Sequence, residues 1–315
     1  MSKSPSMKLV VVILVFLGVG LFLRAISKIG NDETVVSKNS IMKVDLEGVI
    51  FNGKKFLKTL KKYSDEKDIK AFVISINSPG GAVGPSQEIY QALNKIRTEF
   101  KKPVVCVSTN LIASGGYYSA MGCDKLVVAP GALVGSIGVI MEFINLEKLY
   151  DWAKVSRYTI TSGKYKDSGA EYRAMRDDER ELFQEMINDV YGQFRKTVQD
   201  SRKLDDKTMD AYADGRVFSG VKAVDLGFAD QVGMIDDAVK LAAQMANLGD
   251  DYELFEPKKH RPHMLEMLMD NQDDEDSLNE LSEKIKTDIV SKGLREVVRA
   301  QYLNQPFYLM PGYWQ

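Results

Sequence analysis

Ala71-Phe-Val-Ile-Ser-Ile76 runs straight into Asn77-Ser-Pro-Gly-Gly81, and the fold is decided there. Six consecutive apolar or small residues without alternation mark a strand buried on both faces, because a strand with one wet face alternates. The proline and two glycines end it in a turn. Ile89, Leu93, Ile96 and Phe100 then recur at helical spacing across Gln87 to Phe100. Pro103 to Ser108 is a second continuous apolar strand, and Lys125 to Ala129 a third. On the N-terminal side, Met42 to Ile50 reads as a strand kinked at Gly48, followed by a helical stripe of Phe56, Leu57, Leu60 and Tyr63. Continuous strands alternating with amphipathic helices predict an α/β fold whose parallel sheet is covered on both faces. Asp177 to Leu204 predicts a long helix, with Leu182, Met186, Val190 and Phe194 along one face. Asp177, Asp178 and Glu179 complement its N-terminal dipole, and Arg195, Lys196, Arg202 and Lys203 suit its C-terminal half.

With 315 residues, the chain is long enough for one large domain with appendages. A net charge of −2 gives no case for nucleic acid as a partner. The two cysteines, Cys106 and Cys123, are too few for a disulfide framework, and their spacing does not decide whether they pair. Cys106 falls mid-strand and is expected to be buried. There is no CxxC pair and no HExxH, so neither a metal nor an organic cofactor is expected. His260 and His263 read as surface residues, and Asp270 to Asp276 as a solvated acidic loop.

Leu9 to Leu23 is an unbroken run of apolar residues and glycine, flanked by Lys3, Lys8, Arg24 and Lys28. As a helix it spans about 22 Å against a bilayer core of about 30 Å. Ala25, Ile26 and snorkelling of Lys8 and Arg24 close that gap. A retained signal-anchor is favoured over a cleaved signal peptide, since Arg24 is unfavourable beside Ala25-Ile26-Ser27. The expected organisation is a cytoplasmic leader (1–8), a transmembrane signal-anchor (9–26), a linker (27–40), a catalytic α/β domain (41–256) and a C-terminal extension (257–315) with the acidic loop and an apolar tail. Leu278 to Val298 reads as a helix of that extension. The tail, Tyr302 to Gln315, is aromatic and proline-rich, as docked termini are.

The chemistry concentrates at Ser114-Gly115-Gly116, just beyond the strand Pro103 to Ser108. A hydrolytic serine needs an exposed hydroxyl and backbone N–H groups to hold an oxyanion. Two glycine turns at neighbouring strand ends supply both. Alone, Ser114 also reads as an ordinary helix N-cap and Asn77–Gly81 as a plain type II turn. Both histidines lie far away in sequence, so the expected base is a lysine rather than the histidine of a triad.

Ile76-Asn-Ser-Pro-Gly-Gly81, Ala113-Ser-Gly-Gly-Tyr117, Gly135-Ser-Ile-Gly-Val139 and Ser162-Gly-Lys-Tyr-Lys-Asp167 resemble the signal peptide peptidase A family in its short form, with one catalytic unit. Gly215-Arg-Val-Phe-Ser-Gly220 and Gly227-Phe-Ala-Asp-Gln-Val-Gly233 extend the resemblance over roughly residues 41 to 240. It implies a membrane-anchored serine protease on the Clp-protease/crotonase fold, a spiral of parallel-sheet βαβ units. It implies Ser114 as nucleophile, Lys166 as general base with Lys164 the competitor, and Ser136 as the serine that orients the lysine. The implied oxyanion donors are the N–H groups of Gly81 and Gly115. Val83, Leu133 and Ile137 are candidates for an apolar substrate pocket and equally for plain core. The implied substrates are extended hydrophobic peptides, such as cleaved signal peptides and fragments of misfolded membrane proteins. The implied assembly is an octameric ring whose active sites take serine and lysine from adjacent subunits. The implied location is the bacterial inner membrane, single-pass, with the catalytic domain on the periplasmic side. The tail is then expected between subunits or in a groove. A lysine base must be uncharged, so Asp167 is expected to point away from Lys166. Two alternatives remain open: a catalytically inert membrane assembly protein, and an acyl-CoA enzyme of the crotonase type.

Overall fold

A computed structural model describes residues 36–257 and 306–309. The signal-anchor, His260, His263, the acidic loop, the helix read over Leu278–Val298 and most of the tail lie outside these residues. Among the described residues no helix is long and apolar enough to cross a membrane. The chain divides into two compact units, of which the second, Ser37–Gln315, carries everything below.

In chain order, β1 (Ser40–Glu47) leads to α1 (Lys54–Tyr63), β2 (Ile69–Asn77), the short β3 (Gly80–Ala82) and α2 (Val83–Thr98). Next come β4 (Val104–Ser108), β5 (Leu111–Ala113), α3 (Gly115–Ala120), β6 (Lys125–Val128) and β7 (Leu133–Gly135). A turn-rich stretch holds α4 (Glu147–Ala153) and ends at the long α5 (Asp177–Arg202). The described residues close with α6 (Asp206–Tyr212), β8 (Val217–Ser219), α7 (Gly220–Asp225), β9 (Gln231–Val232), α8 (Ile235–Met245), β10 (Glu253–Phe255) and β11 (Phe307–Leu309).

The main sheet runs β10-β1-β2-β4-β6-β9 with every pairing parallel. Its centre is the doubly buried run predicted from the sequence: Ala71 through Ile74 are wholly inaccessible. Ala71, Val73, Val105 and Val127 pack against Ala238, Ala242 and Ala243 of α8. Phe72, Ile74 and Ile76 alternate with these, so they face the other way, and they are buried too. A second sheet, β5-β7-β8, pairs β5 with β7 in parallel and β7 with β8 antiparallel.

Three details depart from the sequence reading. Helix α2 begins at Val83 rather than Gln87, with Pro85 in its first turn, where a missing N–H costs nothing. Strand β1 stops at Glu47, and Gly48 turns the chain with φ of 74°. The apolar face expected along α5 is buried only in its C-terminal half, at Phe194 and Val198; Leu182 and Met186 stay exposed. Phe183 packs instead, 4.5 Å from the Phe143 ring. The pairing of the cysteines is settled: Cys106 of β4 and Cys123 beyond α3 form a disulfide with Cα atoms 5.9 Å apart.

Candidate active site

The two glycine turns meet because Ser78 stitches them together. Its N–H donates to Leu111 O and its carbonyl accepts from Ala113 N, which lays the end of β2 along β5. Its buried Oγ donates to Gly48 O at 2.7 Å and accepts from Gly80 N at 3.1 Å. Asn110 Nδ2 donates to Asn77 Oδ1 across the same junction. Gly116 lies directly on Ser78, where an added Cβ would sit 3.0 Å from Ser78 Cβ. At Gly81 an added Cβ would sit 2.2 Å from Ile50 O, so only glycine fits.

Ser114 joins β5 to α3 in a conformation that side-chain-bearing residues rarely hold, φ 51° and ψ −118°. Its N–H donates to Gly135 O at 2.7 Å, which ties it to the end of β7. It does not cap α3 with its side chain. Its Oγ is buried rather than exposed as the sequence predicts, because β5, α3 and the end of β7 close around it, and it has no hydrogen-bond partner among the described residues. A strained backbone holding a buried hydroxyl without a partner costs stability twice, as functional sites do. Gly115, the first residue of α3, offers an N–H that no helical carbonyl can take. Ser136 follows Gly135 directly, is buried, and also has positive φ, 51°. The Ser114 turn, the Gly81 turn and Ser136 are thereby brought to one edge of the fold. Tyr117 OH anchors α3 from below by donating to Phe228 O at 2.7 Å.

Lys166 lies elsewhere in character. It is exposed, within a run of turns. The carboxylate of its neighbour Asp167 is engaged by Arg173 and by Tyr172 OH. Burial would raise the Asp167 carboxyl, but the bonds from Arg173 and Tyr172 outweigh it and hold it below its ordinary value. Lys164 pairs with Asp178 at 2.7 Å, which raises its amine above the ordinary value, the wrong direction for a base. No bond joins Ser114 to Lys166 within the chain. Of the pocket candidates, Ile137 is fully buried, Val83 half-buried and Leu133 exposed. Among the described residues no group of three or more His, Cys, Asp or Glu side chains is placed to hold a metal ion.

Sequence reasoning missed Ser78, Arg173, Arg176 and the buried Glu179. The only signal for the last was the acidic start of α5, read as a complement to the helix dipole.

Residues 96–249 match peptidase family S49. A Synechocystis protein described as a protease is 40% identical over 217 residues, which cover 68% of this chain and 77% of that one. An Enterococcus faecium protein described as a signal peptide peptidase is 32% identical over 231 residues, 69% of this chain and 67% of that one. Protease 4 of Haemophilus influenzae is 27% identical over 222 residues, 68% of this chain and 36% of that one. Among solved structures, a ClpP1 mutant from Listeria monocytogenes overlays with a TM-score of 0.44 at 18% identity, covering 63% of this chain and 94% of that one.

Proposed function

The chain belongs to peptidase family S49, and on that premise we propose that this serine protease cuts extended hydrophobic peptides with Ser114 as nucleophile and Lys166 as general base. The observation that carries the assignment is the strained Ser114, whose buried hydroxyl has no hydrogen-bond partner among the described residues and sits at the junction with the Gly80–Gly81 turn. Ser114 Oγ attacks the scissile carbonyl carbon as its proton passes to the Lys166 amine. The carbonyl oxygen becomes an oxyanion held by the N–H groups of Gly81 and Gly115. The amine product leaves with the proton from Lys166, and an acyl-enzyme remains. Water, deprotonated by the same lysine, attacks the ester and restores Ser114. Ser136 orients the lysine.

An extended substrate is supported by β3. Its edge already takes an antiparallel strand of this chain, with Tyr308 opposite Gly81. A peptide that takes the place of that strand passes its backbone across the proposed oxyanion donors. Val83 and Leu133, neither fully buried, remain the accessible candidates for an apolar pocket.

Serine and lysine come from adjacent subunits of a ring, taken as octameric. The support is the surface around the lysine segment: Trp152, Tyr158 and Ile160 are 80%, 89% and 100% exposed. Large apolar side chains this open mark an interaction surface. The domain lies on the periplasmic side of the inner membrane behind a single anchor at residues 9–26. The Cys106–Cys123 disulfide supports that placement, since disulfides persist in oxidising compartments.

A serine-reactive covalent probe tests the assignment. Labelling is expected to vanish in Ser114→Ala and to fall sharply in Lys166→Ala. Unchanged labelling in both variants overturns it and favours an inert assembly protein.

A further inference from the structure

A fully buried carboxylate lies outside the reacting groups and is used by nothing in the mechanism above. Glu179, in the first turn of α5, has no solvent exposure. Arg173 meets it as a fork, at 2.8 Å and 2.5 Å. Arg176 meets it twice more, through its guanidinium at 2.9 Å and its backbone N–H at 2.9 Å. The two arginines then reach in different directions to the same short turn. Arg176 Nη2 donates to Lys164 O at 2.9 Å. Arg173 Nη2 donates to Asp167 O at 3.0 Å, and its Nε donates to the Asp167 carboxylate at 3.3 Å. The main chain is therefore gripped on both sides of Lys166, and both grips end on one carboxylate.

A buried ion cluster is a weak way to stabilise a fold, since desolvation cancels much of the attraction. What it does well is fix geometry, because a guanidinium fork and a carboxylate accept few relative orientations. The turn it fixes is open, with Lys164, Tyr165 and Lys166 exposed, and besides the clamp it is held by the Lys164–Asp178 pair, the Tyr172 bond to Asp167 and its own backbone bonds. We propose that Glu179, acting through Arg173 and Arg176, is a positioning residue that presents Lys166 to the serine. The clamp also keeps the Asp167 carboxylate occupied. Released, that anion would favour the charged form of the neighbouring amine, which cannot accept a proton.

The proposal rests on Lys166 being the base, and the experiment separates the two. Peptide hydrolysis is measured for the wild type, Glu179→Gln, Arg176→Met, Lys166→Ala and the double variant Glu179→Gln/Lys166→Ala. Glu179→Gln keeps shape and loses charge. Its kcat is expected to fall about ten- to a hundredfold, as for a catalytic group displaced by about 1 Å. Its KM is expected to stay within about twofold, because peptide binding is untouched. In the Lys166→Ala background the same change is expected to remove nothing further. If Glu179→Gln fails to fold, Arg176→Met carries the test, since that side chain is 38% exposed and its loss frees Lys164 O, and with it the Arg176 side-chain contacts to Glu179 and Asp178, while the Arg173 fork on Glu179 and its bond to Asp167 O stay; the same split is expected, with a smaller drop. Wild-type kcat in a folded Glu179→Gln or Arg176→Met overturns the clamp. So does a full additional loss on top of Lys166→Ala. Wild-type kcat in Lys166→Ala overturns the base assignment itself, whatever the clamp variants do.

Discussion

The serine side and the lysine side of this protease are built by opposite means. Around Ser114 everything is buried: β5, α3 and the Gly80–Gly81 turn are held by backbone hydrogen bonds, close glycine contacts and a disulfide. Around Lys166 the chain is open and turn-rich, held by ion pairs and bordered by exposed aromatic and aliphatic side chains. The contrast teaches a division of labour. A nucleophile in a strained backbone needs a rigid bed that a single chain can supply from its own core. On the proposed assignment, a lysine that meets its serine across a subunit boundary must sit on a surface, so its geometry has to come from polar clamps.

The sharpest way to break the comparison is to disturb the rigid side. Gly81→Ala drives a Cβ against Ile50 O at 2.2 Å. It is expected to lower kcat by at least about 10²-fold, the size of losing one oxyanion donor. Steady-state hydrolysis checks this, and near-normal turnover shows that the turn is softer than described. Next in size is the disulfide, which closes the loop containing Ser114. Replacing Cys106 and Cys123 together by Ala is expected to cost about 3 kcal/mol. For a domain of this size that is a fall of about 6–12 °C in Tm; an unchanged melting curve removes the disulfide from the bracing of the serine side. Ser78→Ala leaves Gly48 O and Gly80 N without their partner. A loss of about 1–3 kcal/mol in denaturant unfolding follows.

Two smaller effects probe the lysine side. The bonds from Arg173, against the opposing effect of burial, hold the Glu179 carboxyl down to about 2 from an ordinary 4.5. Glu179 is thus ionised more readily in the folded chain than in the unfolded one. Its contribution is complete above about pH 4.5 and is lost as pH falls toward 2. The gap in Tm between wild type and Glu179→Gln should close across that window; a gap constant with pH contradicts the ionic clamp. Trp152→Ser, at an 80% exposed side chain, should change monomer stability by less than about 0.5 kcal/mol. It should nonetheless weaken assembly in sedimentation experiments, and an unaltered assembly removes that surface from the interface.

The rigid side was also the legible side. β2 and β4 announce themselves because strands buried on both faces need unbroken apolar runs. Gly81 and Gly116 were readable as turn residues, though only the structure shows what each glycine touches. The start of α2 at Val83 lies ahead of the first apolar position of its stripe, Ile89, with Pro85 in its first turn, so the stripe from Gln87 did not reveal it. The lysine side resisted reading for a physical reason. Arg173, Arg176 and Glu179 carry charges, charges are solvated by default, and burial of one carboxylate depends on two arginines folding back over it. The stripe of α5 misled in the same region: Leu182 and Met186 have helical periodicity, but among the described residues they stay exposed.

Co-expression of Ser114→Ala with Lys166→Ala tests the division directly. Each variant alone is expected to be inactive. In mixed assemblies a subunit with an intact serine sits beside one with an intact lysine, and peptide hydrolysis is expected to return. Mixed assemblies that form normally and stay as inactive as either parent would contradict a site shared between two chains.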